Sequence, residues 1–272
     1  MITVEEASAI ILAHRLPLET EPAPIVEAPG RILAEDLTAD RDFPPFDRVS
    51  MDGIAIAYTS LEAGRFRFPV EGVAAAGAPQ ATLHDAHACL EVMTGAILPL
   101  GADTVIRYED LEIAGGEARL LTTEVTKGQN VHTQGMDRRQ GEVIVPAGKL
   151  ISAAEIGIAA TLGKSMLRVR RRPRTVIVVN GNELVGIGEI PLPYQIRQSN
   201  NYALRALMSR WGLTADLEYL PDNEEIIAWQ LRRLLDQYEV VVMCGGVSKG
   251  KFDYLPAALE KQGVKRLFHR VA

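Results

Sequence analysis

The residues best suited to chemistry lie in two glycine-rich loops, Asn180-Gly-Asn-Glu183 and Gly245-Gly-Val-Ser-Lys-Gly-Lys-Phe-Asp253. Glycines let a backbone approach a ligand closely, and the amides they leave exposed suit an anion. Ser248 adds a hydroxyl, while Lys249 and Lys251 add positive charge. A phosphate-bearing or oxyanion ligand follows from that mixture. Gly245, Gly250 and Lys251 also repeat the G-x4-G-K spacing of a nucleotide-binding P-loop. The next residue is Phe252, where a Ser or Thr should supply the magnesium hydroxyl. A nucleoside triphosphatase is therefore the outlying reading, and a plain chain-reversing turn is the structural alternative.

Loop carboxylates are the second resource. Asp52, Glu109, Asp137, Glu183, Asp222 and Asp253 each adjoin Gly, Asn or a strand end rather than lying on a plain helix face. Grouped near the anion loop they would hold Mg²⁺, which takes oxygen ligands and bridges to phosphates. Taken singly they are solvated loop acids, and Asp222 and Asp253 equally suit helix N-caps. His84 and His87 have metal-ligand types but no third ligand nearby in sequence. No nucleophile elbow, zincin motif or dinucleotide fingerprint occurs.

The elements that must position these residues are legible in outline. Thr3 to Glu6 forms a capping box for a first helix that Pro17 stops, and Ser152 to Glu155 forms another for a helix ended by Gly163. Short alternating runs between about Phe66 and Val125, separated by Gly, Pro and Asp, predict a small β domain. Beyond Pro173, strands at Thr175 to Val179, Leu217 to Leu220 and Val240 to Met243 alternate with helical patterns. Asn200, Asp222 and Asp253 are the candidate caps, and Val264 to Phe268 is a candidate fourth strand. Such alternation predicts βαβ crossovers and a mostly parallel sheet covered on both faces. The expected division is a discontinuous N-terminal linker domain over 1–45 and 135–172, an inserted β domain over 46–134, and a doubly wound α/β domain over 173–272.

Composition narrows the partners. The 272 residues carry 29 basic and 35 acidic side chains, a net charge of -6, which argues against a general grip on nucleic acid. The basic run Arg168 to Arg174 reads as a strand end and linker, with a nucleic-acid contact as the alternative. No apolar stretch approaches the roughly 20 residues that span a bilayer, and no leader pattern precedes Glu5. With 2 cysteines and no disulfide framework, the expectation is a cytoplasmic protein without membrane contact.

Several motifs are collectively distinctive. In order they are Pro44 to Gly53, Met93 to Asp103, Gly128 to Val131 with Gly135 to Asp137, Asn180 to Leu184, and Gly245 to Gly250 followed by Asp253-Tyr254. Their residues and order resemble the molybdopterin molybdenumtransferase family, that of MoeA and the gephyrin E domain. The resemblance implies α/β plus β architecture: an elongated multidomain chain whose C-terminal αβα domain is MoaB/Mog-like and whose small β domain is inserted. It implies Mg²⁺-dependent insertion of molybdate into adenylylated molybdopterin with release of AMP. It also implies a homodimer and handover of the pterin nucleotide from a molybdopterin adenylyltransferase. By motif, Asp52, Thr94 and Asp137 would be catalytic, while Glu183, Gly245, Gly246, Ser248 and Asp253 would bind the pterin nucleotide. Asp222 and Asp253 would hold the metal.

The chain departs from the family pattern at several places. Asn180 and Asn182 stand where Thr and Asp are usual, Lys249 replaces a small apolar residue, Met136 replaces Glu, and Arg48 with Val49 alters the run before Met51. The sequence ends at Ala272, where the family continues into a lysine-bearing segment and a further β domain. The alternative function is accordingly a pterin-nucleotide-binding protein, or a fragment, that does not insert metal.

Overall fold

A computed structural model describes residues 1–245 and 254–272. The chain forms two compact units, one of Met1–Glu35, Ala147–Ala160 and Lys164–Ala272, the other of Asp36–Pro146 and Thr161–Gly163. Gly246, Ser248 and Asp253 lie outside the described residues, as do Lys249 and Lys251.

The second unit is built on a six-stranded sheet. Its spatial order is Thr104–Arg107, Gly53–Ile56, Cys89–Val92, Arg67–Ala74, Glu117–Leu120 and Leu111–Ala114. Gly53–Ile56 is antiparallel to both neighbours and buried along its whole length. Alternation along a strand sends successive side chains to opposite faces. Ile54 and Ile56 accordingly pack with Phe68 and Ile106, whereas Ala55 joins Val49, Val92 and Val105 on the other side. The run expected over Arg119 to Val125 is a strand only over Glu117–Leu120, because it pairs no further than Leu111 on its neighbour. The unit also holds two short antiparallel pairs, Arg48–Val49 with Val131–His132 and Leu37–Thr38 with Val143–Val145.

The first unit contains the helix Val4–Ala13, whose Thr3 and Glu6 close the expected capping box. In the helix Ala153–Thr161, Glu155 accepts the Ser152 backbone N–H at 2.8 Å. The strand Thr20–Pro24 pairs with Met166–Arg170. Beyond it, Thr175–Asn180 runs parallel between Ala215–Leu220 and Val240–Cys244, which is the expected α/β sheet. Val176 and Val178 face Ile227, Leu231 and Leu234 of the helix Glu224–Gln237 and Leu255 of the helix Leu255–Lys261. Ile177 and Val179 point the other way and are equally buried, and the helix Asn200–Ser209 packs on this strand. The sheet is therefore covered on both faces.

Three local expectations need correction. Val264 to Phe268 is not a strand: the Val264 N–H closes the end of the preceding helix on Leu259 O at 3.0 Å, and among the described residues no strand pairs with the segment. Asn200 lies inside its helix, with Ser199 in the cap position. Asn223, not Asp222, caps the next helix, its side chain accepting from the Ile226 N–H at 3.0 Å.

The linker into the parallel sheet is tied down by charge. Arg171 forms a forked contact with the Glu239 carboxylate, which also accepts the Arg174 backbone N–H at 2.9 Å. The Arg171 hydrogen bond, followed by that amide, holds the Glu239 carboxyl at about 2, against a usual 4.5. A carboxyl depressed on folding stabilises the fold above its unfolded value and loses that contribution as pH falls through the folded one. Glu239→Gln is expected to lower the melting temperature at neutral pH, with the gap to wild type closing between pH 4.5 and about 2. Thermal melts across that range check it.

Candidate functional site

In the second unit the motif around Met51-Asp-Gly53 forms a carboxylate clamp. Asp52 Oδ1 accepts from the Thr94 backbone N–H at 2.6 Å and from the Thr94 hydroxyl at 2.7 Å. The two donors, the amide foremost, hold the Asp52 carboxyl below its ordinary value and keep it ionised. Gly53 is required by close approach: a Cβ there would lie 1.9 Å from the Ile106 carbonyl oxygen. That contact seats Asp52 at the end of the buried strand while leaving its side chain exposed. Beside it, the Tyr108 hydroxyl donates to Glu91 at 2.9 Å. Burial first, then this bond and the charges of Glu91 and Asp52, push the phenol up to about 12, so it remains a donor.

Asp137 occupies a different point of the same unit. Its carboxylate meets His132 Nε2 at 3.0 Å, and His132 Nδ1 lies 3.2 Å from Arg48 Nη2. Sequence reading singled out Asp137 but missed His132 and the role of Arg48. The contact joins residues 84 apart in sequence, and only the pairing of their strands creates it.

In the first unit the described candidates gather at the carboxyl edge of the parallel sheet. Asn180 is in register with Leu220, and its side-chain amide donates to the Leu220 carbonyl at 3.0 Å. One step further, Asn182 and Asp222 form a reciprocal latch. The Asn182 N–H donates to Asp222 Oδ2 at 3.2 Å, and the Asp222 N–H donates to Asn182 Oδ1 at 3.0 Å. An Asp at 182 could accept the same bond but would set a second negative charge against Asp222, so Asn keeps the latch without repulsion. Gly245 ends the third strand against this loop, where a Cβ would stand 3.0 Å from the Asn180 carbonyl oxygen. The Tyr219 hydroxyl donates to Gly181 O at 3.1 Å. Burial, then the charges of Asp222 and Glu183, raise this phenol above its usual value. Asn180, Glu183, Asp222 and Gly245 are thus brought to one sheet edge, and Tyr219 and the Asn182 latch are additions that sequence spacing did not mark.

Among the described residues no group of three or more His, Cys, Asp or Glu is arranged to hold a metal ion. Magnesium is commonly held by one or two carboxylates together with substrate phosphates. Asp222, whose carboxylate is held by the Asn182 N–H, is the described acid at this edge with a donor of that type. His84 and His87 do not form such a set, and His87 instead lies 3.3 Å from the Ser60 hydroxyl.

A parallel sheet with polar, glycine-bearing loops at its carboxyl ends defines an open α/β protein, a class in which ligands gather at that edge. Comparison with known proteins makes the assignment specific. Residues 2–163 match the family model of the MoeA N-terminal region (domain I and II), and residues 176–272 match that of a probable molybdopterin binding domain. A molybdopterin molybdenumtransferase of Synechocystis sp. is 40% identical over 274 residues, spanning 100% of this chain and 70% of that protein. The enzyme of the same name from Staphylococcus epidermidis is 29% identical, spanning 100% of this chain and 66% of that protein. A crystal structure of the molybdopterin biosynthesis MoeA protein from Pyrococcus horikoshii superposes with a TM-score of 0.78 at 27% identity, covering 96% of this chain and 66% of that one.

The chain belongs to the MoeA family, whose named relatives are transferases of molybdenum cofactor biosynthesis. Among the described residues no helix is long and apolar enough to cross a membrane.

The Asp52 clamp yields a direct expectation. Thr94→Val removes the hydroxyl but keeps the backbone amide, which is the larger cause of the depressed carboxyl. The Asp52 titration is expected to move up part of the way toward its ordinary value, as read by carboxyl ¹³C NMR. An unchanged titration means that the hydroxyl contributes nothing.

Proposed function

We propose that this chain inserts molybdate into adenylylated molybdopterin in a Mg²⁺-dependent reaction that releases AMP. The observation that carries the reading is the cluster at the sheet's carboxyl edge, where the Asn182–Asp222 latch fixes a polar loop beside Gly245 and two carboxylates. That edge suits a pterin nucleotide. Glu183, Gly245, Gly246, Ser248 and Asp253 are the proposed nucleotide-binding residues, the last three from the loop outside the described residues.

Cleavage of a phosphoanhydride is mostly positioning and charge stabilisation. Mg²⁺ would be held by Asp222 with Asp253, and when bound it neutralises charge on the phosphate oxygens. Asp222 offers it a carboxylate already oriented by the Asn182 N–H. Asp52, Thr94 and Asp137 are the proposed catalytic set. Asp52 is ionised and fixed by two donors, so it can accept a hydrogen bond or proton at a defined place. The Thr94 hydroxyl spends its proton on Asp52 and presents lone pairs outward. The reading further takes the chain to act as a homodimer in the cytoplasm and to receive its substrate from a molybdopterin adenylyltransferase.

The alternative, a pterin-nucleotide-binding protein without metal insertion, draws support from Asn182. Its side-chain oxygen accepts the Asp222 N–H in the latch, and the amide adds no charge to the proposed metal site.

Incubation with adenylylated molybdopterin, molybdate and Mg²⁺ is expected to release AMP in amounts matching the molybdenum cofactor formed. Pterin binding without AMP release selects the alternative. Asp52→Ala should cut AMP release on the order of a hundredfold, the scale on which loss of a positioned group acts, with little change in melting temperature because Asp52 is exposed. Parallel losses of stability and turnover would return Asp52 to a structural role.

A further inference from the structure

Asp137 ends a turn whose backbone is pinned at every step. The Gln134 N–H donates to Asp47 Oδ1 at 2.8 Å, Gly135 N–H to Pro44 O at 3.0 Å, Met136 N–H to Thr133 O at 3.1 Å, and Asp137 N–H to Phe43 O at 2.9 Å. What this leaves free is rotation of the Asp137 side chain, which is 57% exposed. Among the described residues, the group that holds its carboxylate is the His132 ring, through Nε2.

His132 is itself held. It stands directly opposite Arg48 in the antiparallel pair of Arg48–Val49 with Val131–His132, so the two side chains share one face. Arg48 Nη2 lies 3.2 Å from His132 Nδ1. A guanidinium carries donors and no acceptor, so Nδ1 must receive this bond as a lone pair. The ring proton then sits on Nε2, the atom that faces the carboxylate. In the other neutral tautomer an Nε2 lone pair would face Asp137, and the carboxylate would be released among its staggered rotamers.

We propose that Arg48 fixes the Nε2–H tautomer of His132 and that this ring holds the Asp137 carboxylate in its working orientation. Both are positioning residues for the reaction proposed above, and the inference rests on the reading of Asp137 as part of that site.

The test has a spectroscopic arm and a kinetic arm. Selective ¹⁵N labelling of the 5 histidines, with His132→Gln assigning the signal, reads the tautomer at mildly alkaline pH. The expected result is a protonated Nε2 and a pyridine-type Nδ1 in the wild type, becoming a mixture in Arg48→Met. A protonated Nδ1 in the wild type, or an Arg48→Met spectrum identical to it, overturns the proposal. In turnover, His132→Ala should lower kcat about tenfold or more with KM within about twofold, the signature of a misplaced reacting group. His132→Gln can still donate an N–H toward Asp137 and should recover most of that loss. Equal losses in the two variants, or a loss explained by a lower melting temperature, overturn the positioning role. The tautomer measurement needs no turnover. Undiminished AMP release by Asp137→Ala would therefore unseat the catalytic reading of Asp137 and remain distinct from a failure of the Arg48–His132 contact.

Discussion

The parallel pairing of Thr175–Asn180 with strands on both sides is the constraint on which the polar sheet edge depends. Its register sets Asn180 opposite Leu220 and ends the third strand with Gly245 against the Asn180 carbonyl. Once those three chain ends are level, Asn182 and Asp222 can exchange two backbone-to-side-chain hydrogen bonds. A one-residue slip would reverse the faces of the strand and bury the wrong side chains. Val176 and Val178 against the helix Glu224–Gln237 resist that slip through burial. Hydrophobic packing thus fixes the register, and the register fixes the polar edge.

The second unit solves a related problem with backbone proximity. Gly53 sits where no side chain fits, and Ile54 and Ile56 anchor the same strand in the core. Asp52 is consequently exposed in side chain while its backbone carbonyl accepts the Tyr108 N–H at 3.1 Å. Its neighbours complete the environment by hydrogen bonding: Thr94 donates to it, and Tyr108 donates nearby to Glu91. The same arrangement recurs at Asp137, where a pinned turn leaves one side-chain rotation to be settled by His132.

Much of the architecture was legible in the sequence because it depends on short-range patterns. The Thr3 capping box, the β-branched run Thr175 to Val179 and the helical face of Ile227, Leu231 and Leu234 all appear as expected. The errors fall where a local pattern has more than one solution. Asp222 and Asn223 are both competent caps, and the latch to Asn182 removes Asp222 from that competition. Val264 to Phe268 has strand-forming residues, but β pairing needs a partner edge and Val264 spends its N–H on Leu259 instead.

By itself the sequence determined most of the elements and their order, the family, and the candidate acids and glycines at Asp52, Asp137, Asn180 to Glu183, Asp222 and Gly245. The elements and candidate residues follow from residue type and spacing within a few positions of one another, and the family from the order of motifs along the chain. The tertiary structure decided which of them touch. Asp52 meets Thr94 across 42 residues, Asn182 meets Asp222 across 40, and Arg48 meets His132 across 84. Such contacts depend on strand register, and register is fixed by the burial of side chains throughout each unit, a property no local stretch of sequence contains.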